Sequence, residues 1–270
     1  MYTTKWETEG GLPDIENVLA VALLFNTTID ELLSTEKQLK SRSDFFYNSI
    51  VEYDVDTTKD YDVNIGGAYE VSVIGHDGEK LRIQLSSNTI DALEKLLKVK
   101  IDDTKNKIDV TLHRNDALSE AQAKEGLFVQ ISLPAKYTAD VELSGHVNRL
   151  RMDMLETEAF SFSGRVNCTL IGNVQGFVDL DCSNDMTVIS TALSGGIGIN
   201  QMSATSTLHL PKGTEYKVKR KGLSNRASYT LDGIEVEPHV YENTQNVIKL
   251  SGVNMELVIN ECTDIFEMLK

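Results

Sequence analysis

Val141-Glu-Leu-Ser-Gly145, Phe160-Ser-Phe-Ser-Gly164 and Val178-Asp-Leu-Asp-Cys-Ser-Asn184 are short alternating segments, each closed by Ser-Gly or Ser-Asn. Their first residues stand 19 (141 to 160) and 18 (160 to 178) positions apart. Period-two alternation puts one apolar set on one face of a strand. A strand-and-turn unit recurring about every 20 residues is the signature of a solenoid coil. A longer repeat overlies it. Val129-Gln-Ile-Ser-Leu-Pro134 matches Thr207-Leu-His-Leu-Pro211, 77 residues on (134 to 211), and each proline is followed seven residues later by a valine, Val141 and Val218. Proline lacks the N–H of a ladder strand, so both prolines are placed at corners. Stacked coils bury an apolar column but leave two ends that need covers. The face shared by Cys262, Ile265, Phe266 and Leu269 predicts a C-terminal helix for that role. An antiparallel β-sandwich also accommodates short strands. The near-equal spacing favours a mainly β, solenoid-like domain.

Val63, Ile65, Tyr69, Val71 and Val73 alternate, His76-Asp77-Gly78 reads as a turn, and Leu81, Ile83 and Leu85 read as the returning strand of a hairpin. Asn88 is placed as the cap of a short helix with Ile90, Leu93, Leu96 and Leu97 on its buried face. Ile108, Val110 and Leu112 give a further strand, and 115–125 a short helix or loop. Residues 38–60 lack sustained periodicity and are assigned as a linker whose Phe45, Phe46, Tyr47 and Ile50 dock on a neighbour. The β domain is bounded at 61–270.

Residues 1–37 are helical in pattern. Pro13 and Asp14 open a helix in which Ile15, Val18, Leu19, Ala22 and Leu23 share a face. Thr28 and Glu31 form a capping-box pair for a second one. Lys5-Trp6-Glu7, Gly10-Gly11, Leu12-Pro-Asp-Ile-Glu-Asn-Val-Leu19 and Leu24-Phe-Asn-Thr-Thr-Ile-Asp-Glu-Leu-Leu33 resemble the second half of a phage-repressor/Cro-type helix-turn-helix domain. The resemblance implies that Trp6 closes the recognition helix, that Pro13–Phe25 and Ile29–Leu33 are the last helices, and that Tyr2, Thr4 and Lys5 are the remaining candidate DNA contacts. The family's earlier helices would precede Met1. The segment carries Lys5 and Lys37 against Glu7, Glu9, Asp14, Glu16, Asp30, Glu31 and Glu36, a poor surface for phosphate. DNA binding is therefore expected only in a longer form. Separately, the Leu-Pro strands and the Ser-Gly pairs at 144–145, 163–164, 194–195 and 251–252 resemble the bacterial putative-adhesin β-solenoid family, over about 61–260. That resemblance implies a binding scaffold and no reaction.

The chain has 270 residues, 26 Lys+Arg against 41 Asp+Glu, and a formal charge of −15. A net anion is repelled by nucleic acid, so any such contact must be local. No run of eighteen apolar residues occurs, which argues against a membrane helix. Cys168, Cys182 and Cys262 lack disulfide or zinc spacing and read as reduced, buried thiols. With no secretory signal at the N-terminus, a cytoplasmic location is expected.

Few residues point to chemistry. Asp179 and Asp181 share a strand face at a separation that would suit a carboxylate pair acting on a polysaccharide, although an outward polar face around a buried Leu180 explains them as well. Gly195-Gly-Ile-Gly-Ile-Asn200 resembles one calcium-binding nonapeptide without its aspartate and in a single copy, so a glycine corner is the simpler assignment. The five histidines make no metal motif. Neither a metal nor a cofactor is expected. The segment 212–226 holds Lys212, Lys217, Lys219, Arg220, Lys221 and Arg226 against Glu215. It is either a contact for nucleic acid or an acidic partner, or an edge strand guarded by charge. Together these features predict a non-enzymatic transcription regulator whose adhesin-like β domain senses or assembles. The alternative is an adhesin-like scaffold without DNA function. Protein partners and self-association stay open, and the sequence names no small ligand.

Overall fold

The computed structural model describes residues 45–238, 241 and 243–269. The segment 1–37 expected to be helical, with Tyr2, Thr4 and Lys5, lies outside the described residues. In chain order the strands are β1 (Tyr47–Asp54), β2 (Lys59–His76), β3 (Lys80–Ser87), β4 (Leu97–Asp103), β5 (Lys107–Arg114), β6 (Phe128–Pro134), β7 (Thr138–Asp153), β8 (Leu155–Ile171) and β9 (Val174–Cys182). β10 (Thr187–Ser190), β11 (Gly195–Met202), β12 (Thr205–Pro211), β13 (Lys217–Arg220), β14 (Arg226–Leu231), β15 (Ile234–Glu235), β16 (Val247–Val253) and β17 (Glu256–Cys262) follow. The helices are short: α1 (Leu93–Leu96) and α2 (Glu120–Gly126). No helix among the described residues is long and apolar enough to cross a membrane.

The strands stack as parallel coils, each coil giving one strand to each of two ladders. In the first ladder β5, the first half of β2, the first halves of β7 and β8, then β9, β11, β16 and β13 run parallel in that order. Register puts Ile108, Tyr61, Val141, Phe160, Val178, Ile197, Ile248 and Val218 in one column, and from Ile108 to Ile248 none is more than 2% exposed. Val110, Val63, Leu143, Phe162, Leu180, Ile199 and Leu250 make the next column. The segments that define the sequence repeat are thus stacked neighbours, and the solenoid, not the sandwich, is the architecture. Burying one such side chain contributes about 1.5–3 kcal/mol, so every inner coil is held by its inward pair.

The second ladder continues from the first around a corner. β6, the second halves of β2, β7 and β8, then β10, β12, β17 and β14 run parallel. Its column is Val129, Val71, Leu150, Thr169, Val188, Leu208, Ile259 and Tyr229. Thr169 is the polar member, fully buried, and its hydroxyl has no hydrogen-bond partner among the described residues. The long repeat is half kept. Val218 does share a column with Val141. Pro211, however, falls in line with Ser132 rather than Pro134, because Leu208 stands in the column of Val129. Both prolines still end strands of the second ladder.

Both ends depart from chain order. The later coil β5–β6 lies outside β2, and the later coil β16–β17 returns inside β13–β14. For this reason β2 and β3 are not the expected hairpin: β6 takes the edge of β2, and β3 pairs antiparallel with β6 and β1. Antiparallel strands β1, β3 and β4 cover one end, and at the other β15 pairs antiparallel with β14. The C-terminal segment is no end cap. It is a 3-10 turn, Ile265–Leu269, whose Ile265 packs with Ile189 and Cys262 on the outward side of the second ladder while Phe266 stays exposed.

The described β unit begins at Phe45, inside the expected linker. Phe45 docks on Phe128 with ring centroids 4.6 Å apart, whereas Phe46, Tyr47 and Ile50 are exposed. Asn88 caps no helix; its side chain accepts from the Phe46 N–H at 3.1 Å, and α1 starts after Ala92 in the left-handed region. Ile90, Leu93 and Leu97 are buried as expected, but Leu97 already belongs to β4. The 115–125 segment holds α2, opened by a Ser119–Gln122 capping box. Lys59, 6% exposed, ties the β4–β5 turn to β2 by donating to Asp103 and the Thr104 carbonyl, both at 2.7 Å.

Candidate binding surface

Residues that alternate with the core columns face outward from the first ladder. One outward column reads Asp109, Asp62, Glu142, Ser161, Asp179, Gly198, Lys249 and Lys219. Charge therefore runs from acidic at the β5 end to basic at the β13 end. The column beside it reads Thr111, Asn64, Ser144, Ser163, Asp181, Asn200 and Ser251. The Ser-Gly pairs at 144, 163 and 251 thus mark one corner. Ser194-Gly195 stands at the opposite end of its strand, stacked on Gly176. At the corner Gly164 has φ 138° and lies flat against the Gly145 backbone. Gly195-Gly-Ile-Gly-Ile-Asn200 is not a turn but the body of β11. Ile197 and Ile199 fill the core, while Gly196 and Gly198 leave room for the Phe177 ring and the Asp179 carboxylate.

The basic segment does not form one patch. Lys217, Lys219 and Lys221 face outward from the first ladder, where Lys249 of β16 joins them: Lys219 and Lys249 are register partners. Like charges facing each other across a ladder repel. No ion pair links Lys217, Lys219, Lys221 or Lys249 to another described residue. Lys249 Nζ instead sits over the Phe177 ring, 4.1 Å from its centroid. Arg220 continues the inward Leu250 column but is exposed, since no further coil covers it. Arg226 opens β14 and Lys212 follows β12, both on the second ladder. Among the described residues β13 pairs with β16 alone, so there it is an edge strand rich in lysine. Lys249, on an inner strand, is not explained that way.

Asp179 and Asp181 project outward on either side of the buried Leu180. Burial pushes the Asp179 carboxyl above the usual carboxylate range; Lys249 opposes this and Asp181 adds to it. No described residue supplies them with a hydrogen-bonded acid or base. Asp179, Asn200, Lys221, Gly222, Ser251 and Gly252 line a shallow cleft of about 330 Å³.

A larger cleft, about 470 Å³, opens at the same glycine corner nearer the β5 end. Asn64, Ser144 and Ser163 form its floor; His113 and Arg114 of β5 and Glu120 of α2 stand around it. Arg114 Nη1 donates to the Leu118 carbonyl at 2.6 Å, and His146 Nδ1 lies 3.1 Å from Glu120 Oε1. Gly67 lets α2 approach, because a Cβ there would crowd Glu120. Sequence reasoning missed this cleft, since its residues come from six separated segments.

His76, His209 and the three thiols lie outside both clefts. His76 holds the β2–β3 turn through Gly78 N–H and the Lys80 carbonyl. His209 contacts Asn260 and Cys262, and burial lowers its pKa. Burial raises all three thiols, Cys182 to about 12, so they stay protonated. Among the described residues no group of three His, Cys, Asp or Glu could hold a metal. His239 lies outside the described residues.

No protein-family model matches the chain, and no curated protein does. Solved structures do show likeness. A putative cell adhesion protein from Clostridium sporogenes is 14% identical, covers 80% of this chain and 100% of its own, and has a TM-score of 0.40. A putative adhesin from Bacteroides fragilis is 9% identical over 80% of this chain and 97% of its own, with a TM-score of 0.28. A putative lipid binding protein from Parabacteroides distasonis is 8% identical over 80% and 97%, with a TM-score of 0.32. At these scores the likeness is a similarity to bacterial proteins described as adhesins or binding proteins, and function has to be argued from the geometry above.

Proposed function

We propose that the β domain is a non-enzymatic, adhesin-like binding scaffold that takes an acidic polysaccharide on the basic end of its first ladder. One observation supports this above the others: Lys217, Lys219, Lys221 and Lys249 converge on adjoining strands of a chain of net charge −15 with no acidic described residue pairing them. Bringing like charges together costs energy that a bound polyanion offsets. Asp179, Asp181 and the acidic far end of the face disfavour the dense charge of nucleic acid. Asn200 and Ser251, next to the lysines, suit sugar hydroxyls. Regulation of transcription would have to rest on residues 1–37, since acidic residues share the outward face of the first ladder with the lysines.

Titration of the full chain with polygalacturonate and with duplex DNA at several salt concentrations tests the proposal. The polysaccharide should bind more tightly. Lys217→Gln/Lys219→Gln/Lys249→Gln should weaken it at least about tenfold and flatten the salt dependence, as fewer counterions are released. An unchanged salt slope in the triple variant, or tighter binding of DNA, would overturn it.

A further inference from the structure

We propose that the cleft at the β2–β7–β8 corner is a second site, separate from the lysine end, that binds a single carboxylated sugar ring. Its volume, about 470 Å³, lies in the range of small-ligand sites. Its polar groups are of mixed kind, which selects the ligand chemistry. Arg114 is fixed by its bond to the Leu118 carbonyl, leaving other guanidinium N–H groups to meet a carboxylate in a planar fork. Glu120, held by His146, can only accept; it suits a sugar hydroxyl and repels a dianion such as phosphate. Asn64 of β2 and Ser163 of β8 flank Ser144 of β7 in register and can donate and accept, as hydroxyls arrayed around a ring require. Gly66 keeps the mouth open: a Cβ there would meet no atom within 4 Å. The pair of one fixed cation and one fixed anion, flanked by hydroxyl and amide groups, fits a uronic acid better than a neutral sugar or an inorganic anion.

Glucuronate, glucose and inorganic phosphate titrated separately into the full chain, read by ligand-observed NMR, decide the matter. Glucuronate should bind about tenfold more tightly than glucose, the worth of one charged bidentate contact. Arg114→Gln should bring glucuronate to the level of glucose. Because that change also removes the Leu118 bond, Ser163→Phe provides a second variant: an exposed outward side chain that fills the cleft without touching the core, expected to abolish binding of both sugars with thermal unfolding unchanged. The triple lysine variant should bind glucuronate normally, so failure at the lysine end leaves this site standing. Phosphate binding tighter than glucuronate, glucuronate binding unaltered by Ser163→Phe, or no sugar binding at all would overturn the proposal.

Discussion

Replacing Gly164 by alanine places a methyl carbon 3.0 Å from the carbonyl carbon of Gly145 and nearer still to its oxygen. Ordinary contact needs several tenths of an ångström more, and the atoms met are backbone of the neighbouring coil, which cannot rotate away. The β7–β8 spacing must open at the corner. The φ of 138° adds conformational strain of about 1–3 kcal/mol for an L residue. Loosening one or two ladder hydrogen bonds adds about 1 kcal/mol each. The sum is about 2–5 kcal/mol, or roughly 10 °C in Tm for a domain of this size. Gly66 is the control. It also has positive φ, 69°, but a Cβ there meets nothing within 4 Å. Its alanine variant should lose about 1 kcal/mol, the left-handed penalty less the entropy removed from the unfolded chain. Urea unfolding followed by circular dichroism compares the two. Equal losses at Gly164 and Gly66 would refute coil-on-coil contact as the reason for the corner glycines.

Further outcomes follow from the buried polar groups. Lys59→Met should cost about 2–3 kcal/mol in urea unfolding, below the full value for a buried pair because Asp103 is 28% exposed. The hydrogen bond from Lys59 holds the Asp103 carboxyl below the usual value of 3.8. Its stabilisation is therefore complete above 3.8 and lost as pH falls through the lower folded value. Acid titration of stability should show that loss in the wild type and a smaller one in Lys59→Met, where the Tyr53 hydroxyl still donates to Asp103. Thr169→Val keeps the shape of the side chain and removes a buried hydroxyl without a described partner. It should gain about 1 kcal/mol, and a loss of stability would mean that the hydroxyl is satisfied.

The coils were legible because their signal is local and periodic. Val141, Phe160 and Val178 are stacked at the spacing the sequence displays, and Val218 joins their column through the longer repeat. What the sequence hid was the order of the end coils. Nothing local in Val71-Ser-Val or Leu81-Arg-Ile tells that β6, some fifty residues later (76 to 128), will take the edge of β2; a turn signal at His76-Asp77-Gly78 fits a hairpin and a split pair equally. The C-terminal helical pattern of Cys262, Ile265, Phe266 and Leu269 misled for a related reason. Cys262 is the last residue of β17, whose side chains are set by a period of two, so it shares no helical face with Ile265 and Phe266. The basic stretch was visible as composition, but Lys249 reaches it only through strand pairing, and Arg226 and Lys212 leave it the same way. The sugar cleft had no linear signal.

Lys249 lies outside the basic segment in sequence and inside it in space; Lys212 is the converse. The most direct test is therefore to titrate polygalacturonate into Lys249→Gln and Lys212→Gln at one low salt concentration. If the lysine end is the binding surface, Lys249→Gln weakens binding as much as Lys219→Gln does, and Lys212→Gln leaves it at the wild-type level. Equal weakening by Lys249→Gln and Lys212→Gln, or an effect confined to Lys212→Gln, would contradict it.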